Sequence, residues 1–336
     1  MTALLEAVNV SKAFGTGRNR FVALDDFSLT VLPDRPTIIA IAGESGSGKT
    51  TLARLLLGII LPSAGEMRYR GQRLGRMSGQ EGRTFRREVQ AIFQDPFEVY
   101  NPFYRIDRVL ETPIAKFGLA HGRAETQALI DSALRSVGLR PEETLGRFPD
   151  QLSGGQRQRI MIARALVLQP KIIIADEPVS MVDASSRASI LENLLKLQRD
   201  QQITVLYITH DLTTAYQLSE NIVVLYRGRV AEAGAVEQVI KDPHHPYTQL
   251  LVSSIPQPEP GVRWGSLDTV VAGDEASARR SHGCLFADRC PVVMDRCWER
   301  RPAVYQVNGQ QGAACWRYDD RPTIETRELL LTKSLS

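Results

Sequence analysis

The stretch GESGSGKT, Gly43 to Thr50, carries the residue types needed to hold a phosphate. Gly43, Gly46 and Gly48 let consecutive backbone N–H groups converge on one anion, and a helix predicted over KTTLARLLLG adds the partial positive charge of its N-terminus. Lys49 supplies a point charge and the Thr50 hydroxyl a cation ligand. The loop follows the apolar run TIIAIA, the strand-to-helix setting in which G-x-x-x-x-G-K-[ST] cradles a nucleotide's phosphates. A second Mg²⁺ ligand should be an acid ending another buried strand, and IIIADE supplies it as Asp176. Glu177, next in sequence, can then orient and polarise an attacking water.

A different chemistry is spaced along the last quarter of the chain. All four cysteines, Cys284, Cys290, Cys297 and Cys315, fall in one segment with the pattern C-x5-C-x6-C-x17-C. Where no secretory leader is present, structural disulfides have little use, so such thiols are metal ligands or incidental. Structural zinc sites draw on C-x2-4-C pairs, which are missing here, whereas four thiolates suffice for an iron–sulfur cluster.

Positioning these groups needs alternating strands and helices. Short β-like runs dominate to about residue 93, among them TIIAIAG (37 to 43) and GEMRYRGQRL (65 to 74). From about 95 to 152 the pattern is helical, and AETQALIDSALRSVGL (124 to 139) predicts a face of Ala128, Leu129, Ala133, Leu134 and Val137. KIIIAD, the helix SRASILENLLKLQRD, ITVLYITH and NIVVLYRGRVAEAG then argue for a mostly parallel sheet covered on both faces. The prolines of SSIPQPEPGVRW (253 to 264) mark a linker, and an irregular tail is expected beyond it. The fold class is therefore α/β, with a nucleotide-binding domain over 1–255, a helical subdomain inserted at about 95–152, and a linker and Cys-rich extension over 256–336.

Composition sets outer limits. The 336 residues are 43% hydrophobic and 24% charged, with net charge +3, which names no nucleic-acid or membrane partner. MTALLEAVNVSKAFG offers neither a basic leader nor a long apolar stretch, and LLLGIIL (55 to 61) is far short of a bilayer span. Any membrane role is expected to be peripheral.

LSGGQRQRIMIARAL (152 to 166) resembles the signature of the ATP-binding-cassette (ABC) family, and AIFQDP (91 to 96) and ITHD (208 to 211) resemble its Gln loop and switch histidine. With the phosphate loop, all in family order, the resemblance covers residues 1 to about 250. It implies a β-subdomain, a RecA-like core and an inserted helical subdomain, and two cassettes that sandwich ATP head to tail. One chain would offer Gly43, Glu44, Ser45, Gly46, Ser47, Gly48, Lys49, Thr50 and Thr51, and the other Ser153, Gly155, Gln156 and Asp183. By the same resemblance Phe14 would stack on adenine, Thr50, Gln94 and Asp176 would hold Mg²⁺, and Glu177, Gln94 and His210 would be catalytic. The chain departs from the pattern at Val179, Met181 and Val182, beside the seam-crossing Asp183.

FQDPFEVYNP (93 to 102), DPHHPYTQLLVSSIP (242 to 256) and GCLFADRCP resemble the peptide and nickel importer subfamily, with Tyr100 replacing a leucine. His244 and His245 there read as a turn rather than a metal pair. The implied protein is an ATPase subunit at the cytoplasmic face of the inner membrane that powers import of dipeptides or oligopeptides. Its implied partners are a second, non-identical ATPase subunit, two transmembrane permeases and an extracytoplasmic solute-binding protein, with no nucleic acid. Import of nickel chelates or oligosaccharides is the alternative within the class, and a ribosome- or nucleic-acid-directed ATPase the remoter one. Subfamily members with this extension carry a [4Fe–4S] cluster, which the resemblance assigns to the four cysteines, Zn²⁺ being the alternative. Because a linker intervenes, the Cys segment is expected to stand apart from the phosphate loop in a structural or redox-sensing role.

Overall fold

The computed structural model describes residues 2–95, 100–255 and 282–331; residues 96–99 of the Gln-loop stretch, and the expected linker from 256 on, lie outside the described residues. The strands are β1 (Leu5–Phe14), β2 (Phe21–Val31), β3 (Ile38–Ala42), β4 (Ala64–Tyr69), β5 (Gln72–Arg73), β6 (Val89–Ile92), β7 (Ile172–Asp176), β8 (Thr204–Thr209), β9 (Asn221–Tyr226), β10 (Arg229–Ala235), β11 (Tyr305–Asn308) and β12 (Gln311–Ala313). The helices are α1 (Lys49–Leu56), α2 (Gly79–Glu88), α3 (Asp107–Phe117), α4 (Arg123–Ser136), α5 (Pro141–Thr144), α6 (Gly154–Leu166), α7 (Ala184–Gln201), α8 (Leu212–Leu218), α9 (Val236–Lys241), α10 (Pro246–Ser253), α11 (Asp295–Glu299) and α12 (Thr326–Leu331).

An antiparallel sheet in the order β2-β1-β4-β5 packs against a larger sheet in the order β11-β12-β10-β9-β3-β8-β7-β6. The central strands β9, β3, β8, β7 and β6 run parallel. Every residue of β3 is buried, as a strand covered on both faces requires. Alternate side chains divide between two cores: Ile38, Ala40 and Ala42 meet α6 and α7, while Ile39 and Ile41 meet α1 and the smaller sheet. The carboxyl end of β3 is thereby fixed from both sides, and the phosphate loop starts there.

Helices α3, α4 and α5 lie between β6 and α6, where the helical insertion was expected. The buried face of α4 is Ile130, Ala133 and Leu134, continued by Val137, whereas Ala128 is exposed. Ile130 takes the place expected for Ala128, while Leu129 packs partly buried against the same core. NIVVLYRGRVAEAG, one β-rich stretch by sequence, is a hairpin of β9 and β10. Arg227 and Gly228 turn it with φ of 45° and 83°, the two-residue geometry that suits twisted strands.

The tail was expected to be irregular and instead extends the main sheet. β12 pairs antiparallel with β10, placing Glu232 opposite Ala313 and Gly234 opposite Gln311, and β11 pairs outside it. An unpaired β10 would expose a row of backbone N–H and C=O groups, which β12 satisfies. Leu329 and Leu330 of α12 enter the core shared with β1 and β2.

Glu232, fully buried, ties this junction together. Its carboxylate accepts the backbone N–H groups of His244 and His245, both at 2.9 Å, and the Gln311 side-chain amide at 2.7 Å. Burial drives its pKa up, and these hydrogen bonds act in the opposite sense. Glu232→Ala should leave those donors orphaned and lower stability by about 2–4 kcal/mol, measured as a fall in the denaturation midpoint. An unchanged midpoint would show that the carboxylate does not hold the junction.

Candidate active site

The phosphate loop leaves β3 at Ala42 and enters α1 at Lys49. Gly48 adopts φ of 103°, and a Cβ there would lie 2.4 Å from the Ala23 carbonyl oxygen, so the loop's closing turn admits only glycine. The Lys49 ammonium donates to the Gly43 and Glu44 carbonyls at 2.7 and 2.9 Å. Burial lowers its pKa, opposed by the charges of Glu177, Asp176 and Glu44. Ser47 Oγ is buried and meets no hydrogen-bond partner among the described residues, an available donor inside the loop.

Asp176 ends β7, where desolvation and then the neighbouring Glu177 raise its carboxyl's pKa while Lys49 and Arg54 act against them. A cation placed there would remove much of that penalty. Glu177 itself takes φ of 46°, a conformation that costs a non-glycine residue about 1–3 kcal/mol. Its N–H donates to Ile208 of β8 at 2.9 Å, and its carboxylate lies between Gln94 Nε2 at 3.1 Å and His210 Nδ1 at 3.0 Å. Three residues from three strand ends therefore converge where the sequence placed them only by pattern.

A cavity of about 720 Å³ is lined by the loop residues from Gly43 to Thr51 other than Ser47, with Gln94, Glu177, His210, Phe21, Ala23 and Leu251, while Asp176 does not line it. Phe14 does not line it. Its cross-strand partner Phe21 does, while the Phe14 ring sits 5.3 Å from the Lys12 ammonium. Phe21 was not singled out by sequence, because nothing in FVALDD marks one aromatic over another.

The signature lies elsewhere. Ser153 caps α6, its Oγ accepting from Gln156 N at 3.1 Å while Gln156 Oε1 accepts from Ser153 N at 2.9 Å. Asp183 caps α7 through Ser185 and Ser186, and those hydrogen bonds hold its carboxyl well below the usual range. A Cβ on Gly155 would meet Ser186 Oγ at 2.2 Å, so the starts of α6 and α7 touch. None of Ser153, Gly155, Gln156 or Asp183 lines the phosphate-loop cavity. Met181 is exposed and Val182 buried beside them.

The histidines of HHPY lead into α10, with His245 as its N-cap. His245 Nδ1 accepts the Tyr247 N–H at 3.0 Å, and complete burial pulls its pKa down to about 4, so the ring is neutral. Tyr247 Oη in turn accepts the Glu44 N–H of the phosphate loop at 2.8 Å. The Cys segment also reaches this loop, contrary to the separation expected from the linker: Arg289 forms a two-pronged ion pair with Glu44. Cys284, Cys290, Cys297 and Cys315 are all free thiols. Cys297 is buried with Trp316 and Tyr305, Cys284 packs against them, and the Cys284 N–H donates to the Cys297 carbonyl at 2.7 Å. Burial and then the other three thiols push Cys284 up to about 11. Among the described residues no three His, Cys, Asp or Glu side chains are gathered as ligands for one metal ion.

A phosphate loop after a central parallel strand, an acid ending the next strand but one and a carboxylate beside it define a nucleoside triphosphatase. The ABC transporter family matches residues 24–180, and the C-terminal region of oligopeptide/dipeptide transporters matches 231–297. The chain is 36% identical to a putative oligopeptide transport ATP-binding protein, YkfD, of Bacillus subtilis, over 96% of this chain and 98% of that one. It is 35% identical to the oligopeptide transport ATP-binding protein OppF of Escherichia coli, over 84% of each. Among solved structures, a dimeric ATP-binding cassette in a post-hydrolysis state with ADP and Pi superposes with a TM-score of 0.61 at 28% identity, covering 69% of this chain and 98% of that one. The chain thus belongs to the ABC transporter ATP-binding family, in its oligopeptide/dipeptide branch, and is an ATPase coupled to transport.

Glu177→Gln should keep ATP binding and lower turnover by about 10²–10⁴-fold, read as steady-state phosphate release in the assembled transporter. Undiminished release would remove Glu177 from the chemistry.

Proposed function

We propose that this chain hydrolyses ATP to power peptide import across the cytoplasmic membrane, as one of two ATPase subunits docked on two permeases fed by a solute-binding protein. The observation that carries the hydrolytic role is Glu177 held between Gln94 and His210 at the rim of the phosphate-loop cavity. In this reading Lys49 and the loop amides bind the phosphates, Thr50, Asp176 and Gln94 hold Mg²⁺, and Mg²⁺ when bound offsets charge on the phosphate oxygens. Glu177 orients the attacking water and takes its proton, and His210 donates a hydrogen bond toward the terminal phosphate. The peptide class rests on the matched C-terminal region and on the named relatives.

The second ATPase follows from the site's incompleteness. The α6 N-terminus, capped by Ser153 and offering Gly155, is a further anion site that lies off the chain's own cavity, so it is available to a nucleotide held by another chain. Docking on a permease is supported by a groove of about 910 Å³ lined by Arg83, Arg86, Phe93, Tyr104, Arg108 and other residues. Phe93 lines the groove and Gln94 the nucleotide cavity, so adjacent residues face the two sites. No helix among the described residues is long and apolar enough to cross a membrane, and the peripheral position at the cytoplasmic face rests on the family and on the named relatives.

The four thiols are read as [4Fe–4S] ligands. They act on one another electrostatically around buried Cys297, and a cluster would stabilise all four as thiolates and cross-link a region with a small core of its own. Zinc would need tetrahedral sulfurs on one ion at about 2.3 Å, whereas a cluster sets an iron under each thiolate and accepts a wider spacing.

Two measurements test these readings. With its permeases and partner ATPase in proteoliposomes, the chain should drive ATP-dependent uptake of labelled dipeptides or oligopeptides and show at least tenfold faster hydrolysis than alone; uptake of nickel chelates or oligosaccharides instead would reassign the cargo, and ribosome association without uptake would reassign the class. Anaerobic purification should give a brown protein with about four iron and four sulfide per chain, bleached by Cys290→Ser. A colourless preparation with one zinc per chain would replace the cluster by a zinc site.

A further inference from the structure

Glu44 is gripped twice by the C-terminal part of the chain. Arg289 Nη1 and Nη2 donate to Glu44 Oε2 and Oε1, both at 3.0 Å, across 245 residues of sequence. The Glu44 backbone N–H donates to Tyr247 Oη at 2.8 Å. The guanidinium is itself fixed, lying 5.5 Å from the Phe286 ring centroid and 6.0 Å from that of Tyr226. Those rings pack with Tyr247 into one aromatic cluster at 4.4 to 5.6 Å. The Arg289 side chain thus stacks at one end and forks onto a carboxylate at the other, the geometry in which arginine is not replaceable by lysine without loss.

Glu44 lies inside the phosphate loop, and its charge acts on Lys49 together with those of Asp176 and Glu177. A triphosphate entering this loop carries up to four negative charges, so an uncompensated carboxylate there repels it. We propose that Arg289 is a positioning residue for nucleotide binding: by neutralising and orienting Glu44 it leaves the Lys49 charge for the phosphates, so that the Cys-bearing segment sets the ATP affinity of the site. The proposal rests on the nucleotide-site reading given above. It makes the segment a working part of the phosphate loop, because Arg289 ends the short helical turn Ala287–Arg289 between Cys284 and Cys290. Whatever fixes those two cysteines also fixes the arginine.

The test is equilibrium binding of ATP and ADP to the full chain, with thermal midpoints recorded for each variant. Arg289→Ala should weaken ATP binding about three- to tenfold and ADP binding less, and the difference should shrink at high salt. Arg289→Lys should recover part of the affinity, restoring the charge without the fork. Adding Glu44→Gln to Arg289→Ala should restore ATP affinity toward the parent value, because it removes the repelling charge. Equal ATP affinity of Arg289→Ala and parent overturns the proposal while leaving the nucleotide site standing. A loss shared equally by ATP and ADP, not relieved by Glu44→Gln, also overturns it and makes the contact mere packing. A parent chain that binds neither nucleotide removes the site and the proposal together.

Discussion

Everything in the site is arranged about one buried ammonium among carboxylates. Lys49 stands at the N-terminus of α1 with Glu44, Asp176 and Glu177 acting on it from the loop and from the end of β7. Burying a charge is costly unless partners surround it, and burying acids near one another is costly without a cation. Each cost is offset by the other, but only if β3 and β7 deliver their ends to one place. The strand order β3-β8-β7 does that, and the two cores on either side of β3 keep the distance fixed. The positive φ of Glu177 is the local expression of the same demand, since the chain must turn sharply after Asp176 to bring the Glu177 carboxylate into the cavity.

Much of this was legible in the sequence, because it is local. The phosphate loop, Asp176 and Glu177 are defined by residues adjacent in the chain and by the apolar strands before them. Gln94 and His210 were found only through the resemblance of AIFQDP and ITHD to family motifs, since nothing in their local pattern marks them. What escaped has a common origin in sequence distance. The Arg289–Glu44 pair spans 245 residues, and neither an arginine in ADRCP nor a glutamate in GESGSGKT announces the other. Tyr247 was noticed as part of HPYT without its bond to the loop. β11 and β12 have four and three residues, too few for alternation to register, and their pairing is imposed by the open edge of β10. The face of α4 was read correctly at Leu129, Ala133, Leu134 and Val137 and wrongly at Ala128, which is exposed while Ile130 is buried.

The division between the loop's cavity and the signature is equally physical. The starts of α6 and α7 are coupled by the close approach of Gly155 to Ser186, so capping by Asp183 and presentation of the α6 N-terminus are one rigid feature. Met181, one of the departures from the family pattern, is exposed, and Val182 is buried. The departures from the family pattern therefore fall on the side chains around the cap and leave its hydrogen bonds intact.

The pairing of β12 with β10 also has a consequence for how the chain comes off the ribosome. β10 is made before β12, and its outer edge is closed by residues that follow the whole linker. At ~5–20 residues per second, the stretch from Ala235 to Gln311 takes roughly 4–15 s to synthesise. For that interval the nascent sheet carries an open antiparallel edge, and the Glu232 carboxylate lacks its Gln311 partner. The nascent polypeptide is thus exposed to strand-edge aggregation late in translation, a hazard that chaperone binding at the tunnel exit would have to cover until β12 arrives.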